Sequence, residues 1–140
     1  INTIAQNASM LYEFRSETQE CLGIMEKMLY SVVESYRDMG VDVEVEVLGV
    51  RPCKGDVDEQ KQAALTEKCG DIIEQFAHRR APALCISTDA NIPLSMGIPA
   101  NTLGLLLGGG GHTRGEWVEL DSLQVGHRIG MTLALTYFNK

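Results

Sequence analysis

Two short stretches carry most of the side chains with chemical potential. In GGGGHTRGEWVEL, residues 108–120, His112 stands after four glycines and before a run of charged and apolar residues. Glycine tolerates backbone conformations closed to other residues and lets the main chain approach a ligand closely. Two readings follow: a histidine displayed on a tight turn, or a metal ligand or catalytic base held beside an ion or substrate. One histidine does not make a zinc site, because such sites take three or four protein ligands. Neither Glu116 nor Asp121 has the spacing of a helical metal pair.

In STDANIPLSMGIP, residues 87–99, Ser87, Thr88, Asp89 and Asn91 crowd small polar groups behind the apolar run PALCIS. Open α/β sheets place ligands at such strand ends, and polar loops also use these residues to satisfy their own backbone. Arg15 reads as a surface cation or as a fork for a substrate carboxylate. Asn2 reads as a loop residue. His78 and His127 stand beside arginines and read as solvated, and Trp117 reads as core or interface.

The elements that must position these groups follow from periodicity. Residues 8–15, ASMLYEFR, suit a strand. From Glu17 to Met39, apolar residues recur every three or four positions, as on one stripe of a helix, and Gly40 supplies a left-handed stop. VDVEVEVLGV alternates strictly and predicts a strand with one wet face. CKGDVDEQ, with Gly55 and the candidate caps Asp56 and Asp58, reads as a linker. A second amphipathic helix follows over 60–78, which Pro82 keeps from continuing. PALCIS and ANTLGLLL predict apolar strands covered on both faces, and residues 121–138 predict a helix weakened by Gly126 and Gly130. The expected class is α/β, divided into residues 1–52 and 53–140.

Composition narrows the functions. The 140 residues are 44% hydrophobic and 22% charged, in the range of globular proteins, and the net charge of −7 disfavours nucleic acid as a partner. No run approaches the ~20 apolar residues of a membrane span, so the expected setting is cytoplasmic. Cysteines 21, 53, 69 and 85 lack the close spacing of a zinc or redox motif and read as reduced, mostly buried thiols. The chain begins at Ile1 with residues that read like the interior of a folded unit. Its apolar strands need neighbours that it does not supply, so a fragment of a larger protein is expected.

The order of the pieces is more specific than any one of them. An apolar strand leading to STDAN, then MGIPANTLG, then a glycine loop ending in GHTRGEWVEL, then a helix, resembles the C-terminal segment of the M20 zinc peptidases and amidohydrolases. Upstream, NTIAQNASMLYEFRS, a long helix and VDVEVEVLGVRP resemble the second half of the lid or dimerisation domain inserted in that family. The resemblance implies an α/β fold: half of a strand-helix-strand lid domain, followed by the end of a catalytic domain.

It also implies hydrolysis of peptide or N-acyl amino-acid amide bonds by a homodimer holding two zinc ions in each complete subunit. His112 corresponds to a ligand of one zinc. Asn2 and Arg15 correspond to lid residues that hold the substrate carboxylate or the tetrahedral intermediate, and Thr88 to a substrate-binding position. Gly115 departs from the Asn or Glu found in many members. The general base and the remaining ligands, which activate the shared water in this family, correspond to segments upstream of Ile1. No catalytic residue is therefore expected in this chain, which should be inactive alone. The other expectation is a dimerisation or binding module without catalysis.

Overall fold

The computed structural model describes residues 4–138. They form a mostly helical chain with one small antiparallel sheet, in two compact units, 1–53 and 54–140. Among the described residues, no helix is long and apolar enough to cross a membrane.

The first unit is built on helix α1, Gln19–Asp38. Its start is set by Thr18, whose extended backbone leaves Oγ1 to accept from the Cys21 N–H at 3.3 Å. Its end is a paired carbonyl cap. The Gly40 N–H donates to the Arg37 carbonyl at 2.9 Å and the Val41 N–H to the Tyr36 carbonyl at 3.1 Å. That pattern needs a left-handed residue, which Gly40 supplies at φ +86°. Arg37 then folds over the exit, with Nη2 donating to the Val43 carbonyl at 2.6 Å and Nη1 to Glu34 at 2.7 Å. Of the helix side chains, Val33 is buried.

The second unit packs helix α2, Glu59–Ala77, against helix α4, Ser122–Phe138. Its centre is Ile72, Ile73 and Ile129, with Phe76, Leu103, Val125 and Leu133 around them. Asp58 caps α2 by accepting from the Gln60 and Lys61 N–H groups at 3.0 and 3.1 Å. These bonds to the ionised carboxylate, led by the one from Lys61, hold its pKa below the ordinary 3.8. The helix leaves its axis at His78, a non-glycine residue in the left-handed region at φ 54°. That turn carries Arg80 back along α2, where it meets Glu67 at 2.8 Å, Asp71 at 3.1 Å and Glu74 at 3.4 Å.

The linker expected around Gly55 is docked. The Gly55 N–H donates to Leu94 of the short helix α3, Asn91–Ser95, at 3.0 Å, and Val57 is buried. The sheet joins β1, Gly108–Gly109, to β2, Trp117–Val118, with Gly108 opposite Val118 and Gly109 opposite Trp117.

Three helical expectations meet helices at nearly the expected bounds, while the strand expectations do not. Residues 8–15, 41–50, 82–87 and 100–107 form no ladder among the described residues. A strand is stabilised by hydrogen bonds to a neighbour, and alternation or apolar content supplies only the side chains such a neighbour would cover. The faces expected to be covered are open: Leu84 is 71% exposed and Val47 65%. Helices meet most of their hydrogen-bonding needs within one segment, so they form regardless. The α/β expectation therefore reduces to helices with a two-stranded sheet.

Candidate functional site

The loop joining β1 to β2 positions His112. Gly110 enters it at φ +68° and His112 itself stands at φ +65°. A left-handed histidine is uncommon, and here the surrounding bonds hold it in place. The Gly110 carbonyl accepts from the Thr113 N–H at 3.1 Å and from Thr113 Oγ1 at 2.6 Å. Thr113 Oγ1 accepts in turn from the Gly115 N–H at 3.2 Å, and the Glu116 N–H donates to the Thr113 carbonyl at 3.2 Å. One threonine thus closes the turn on both sides of the histidine, and the imidazole stays exposed.

Below the loop, the Glu119 N–H donates to the Leu107 carbonyl at 2.8 Å and the Leu107 N–H to Ser122 Oγ at 2.9 Å. These bonds tie the hairpin to the start of α4. Trp117 lies against Gly109, where an added Cβ would come within 2.9 Å of Nε1. Its indole is nevertheless 57% exposed, so it does not form core within this chain.

The described residues alone do not fit a zinc site: no group of three or more His, Cys, Asp and Glu among them could hold a metal ion. A zinc ion bound through His112 would need donors beyond those described. Cys53 and Cys69 are buried, and Cys21 and Cys85 are exposed.

Thr88 is the hub of a polar turn. Its N–H donates to Asn91 Oδ1 at 3.0 Å, its Oγ1 accepts from the Ala90 N–H at 3.3 Å, and its carbonyl accepts from the Asn91 N–H at 3.0 Å. Thr102 Oγ1 donates to the same hydroxyl at 2.7 Å. No hydrogen bond joins Thr88 to His112.

Arg15 belongs to the first unit and is exposed, with Nε donating to Glu13 Oε1 at 2.7 Å. That hydrogen bond, reinforced by the opposite charges, lowers the pKa of Glu13 and raises that of Arg15. Asn2 lies outside the described residues. His78 and His127 are both exposed.

Sequence reasoning did not single out Thr102 or the pins on the segment that carries it. Gln62 Nε2 donates to Asn101 Oδ1 at 2.8 Å, the Ala100 N–H donates to Gln62 Oε1 at 3.0 Å, and Asn101 Nδ2 donates to Thr66 Oγ1 at 3.1 Å. Gln62 and Ala100 are 38 positions apart, a separation at which no local pattern links an amide to its partner. Comparison of the chain with protein-family models, curated proteins and solved structures finds no match.

Proposed function

We propose that this chain is a C-terminal portion of a zinc-dependent hydrolase of peptide or N-acyl amino-acid amide bonds, working in the cytoplasm and resembling the M20 enzymes. The observation that carries the reading is His112: an exposed imidazole in the left-handed region, on a glycine loop braced from both sides by Thr113. An uncovered imidazole on a braced backbone suits metal ligation better than a histidine that fills space, because its ring nitrogens remain open to a ligand.

His112 contributes one ligand in this account, and donors outside these 140 residues complete the site. The exposed apolar residues of 82–87 and 105–107 agree with it as parts of strands whose neighbours lie elsewhere. Thr88 hydrogen-bonds the substrate, as the corresponding position does in the enzymes this chain resembles. Arg15 and Asn2 hold the substrate carboxylate or the tetrahedral intermediate, as the corresponding residues do in the enzymes this chain resembles.

Amide-hydrolysis assays on the complete gene product test the reading. Turnover that depends on zinc and is lost in His112→Ala, but kept in His78→Ala, is the expected result. Zinc-independent turnover, or none from an intact and metal-loaded protein, overturns it. The second reading is a dimerisation module without catalysis, favoured by the exposed apolar side of α1, where Ile24, Met28 and Val32 are each more than half exposed.

A further inference from the structure

The Thr88 side chain is held from two directions. Its own turn supplies the longer bond, with the Ala90 N–H donating to Oγ1 at 3.3 Å. The shorter one comes from Thr102, 14 positions on, whose hydroxyl donates to the same oxygen at 2.7 Å. A threonine hydroxyl turns to suit its partners, so a second hydroxyl at this distance decides how it is aimed.

Thr102 reaches that place because α2 grips the two residues before it. Gln62 Nε2 donates to the Ala100 carbonyl at 3.1 Å, and the Ala100 N–H donates to Gln62 Oε1 at 3.0 Å. One side-chain amide thus pairs with both backbone groups of a residue, as a neighbouring strand would. The same Nε2 donates to Asn101 Oδ1 at 2.8 Å, and Asn101 Nδ2 donates to Thr66 Oγ1 at 3.1 Å. Thr66 is tied to the helix in turn, its Oγ1 donating to the Gln62 carbonyl at 2.9 Å. These partly buried bonds set the register of a segment that has no strand ladder of its own.

Folding gains little from the hydroxyl pair at the end of this network. Thr102 is exposed, and an exposed hydroxyl exchanges a protein partner for water at small net cost. What the pair does fix is the direction of Thr88.

We propose that Thr102 is a positioning residue that aims the Thr88 hydroxyl at the substrate, and that Gln62 and Asn101 place Thr102 for that task. This rests on the reading of Thr88 as a substrate-binding residue and names the side chains on which its aim depends.

Steady-state kinetics of the complete, zinc-loaded gene product test it, with a panel of dipeptides and N-acetyl amino acids as probes. Thr102→Val keeps the shape of the side chain and removes the hydroxyl. It is expected to raise KM about tenfold, the scale of one hydrogen bond, with kcat nearly unchanged. Thr102→Ser retains Oγ and should return KM to near the native value. Thr88→Val should raise KM as well, and Thr102→Val added to it should change nothing further, because the second hydroxyl acts through the first. Gln62→Ala, which frees the segment, should raise KM in the same direction.

An unchanged KM in Thr102→Val, or equal effects of that substitution with and without the Thr88 hydroxyl, overturns the positioning role, while zinc-dependent turnover of the native protein leaves the hydrolase reading standing. A fall in kcat at native KM, with a lowered melting temperature, marks a purely structural hydroxyl and also overturns the role. A native KM in Thr88→Val removes Thr88 from the substrate and the role with it. A native protein that hydrolyses none of the probes overturns the hydrolase reading and this inference together.

Discussion

Gly126 of α4 lies against the backbone carbonyl of Leu105 so closely that a Cβ at position 126 would collide with it. In an isolated helix glycine is a weakness of about 1 kcal/mol relative to alanine. Here it is the condition for contact between the helix and the segment that leads into the His112 hairpin. Gly126→Ala is expected to lose at least about 2 kcal/mol, because overpacking against backbone outweighs the gain in helix propensity. Urea denaturation monitored by circular dichroism measures it, and an unchanged or raised midpoint contradicts the close approach.

Gly70 of α2 faces a different neighbour. An added Cβ there would lie 2.9 Å from Arg80 Nη2, the far end of a flexible side chain. Alanine should therefore displace the guanidinium from its carboxylates while gaining helix propensity, and the two effects oppose one another. Combined with Arg80→Ala, nothing remains to displace, so Gly70→Ala should stabilise by about 1 kcal/mol. A double-mutant cycle reads the coupling, and equal effects of Gly70→Ala in both backgrounds would remove Arg80 from that position.

Asp58 gives the fold an acid limb. Its folded pKa lies below the ordinary 3.8, so its contribution is present above the unfolded value and is lost as pH falls through the lower folded value. Thermal melts from about pH 6 downward should show a loss of stability that is smaller in Asp58→Asn. The asparagine keeps a capping oxygen but has no proton to take up. An identical acid dependence in both proteins would assign the loss to other carboxylates.

Trp117 is the sole tryptophan and is exposed in this chain. Its emission should be that of an indole in water and should be strongly quenched by iodide. If other segments cover the hairpin, as the proposed function holds, the same residue should be blue-shifted and protected in the complete gene product. Equal quenching in both proteins would leave the hairpin uncovered.

The legible part of this sequence was local. The helix start at Asp58, the stop at Gly40 and the apolar periods of α1, α2 and α4 each depend on residues within a turn or two. Strand partners are not local. VDVEVEVLGV states which side a neighbour should cover and says nothing about whether one is present, and no ladder forms there. The same limit hid Gly126, whose glycine reads as a defect until Leu105 is placed beside it. It also hid Thr102, whose value lies in a hydroxyl 14 positions away. His112 was legible as a residue of interest from its glycines. Its left-handed backbone and the Thr113 brace came from the structure.

The central claim is that His112 is a zinc ligand, and the most direct measurement is the zinc content of the complete gene product with and without His112→Ala, after dialysis against a weak chelator. The account predicts that the variant loses one metal per subunit and nearly all amide hydrolysis, while His78→Ala keeps both. A His112→Ala protein that retains its full zinc content would contradict it.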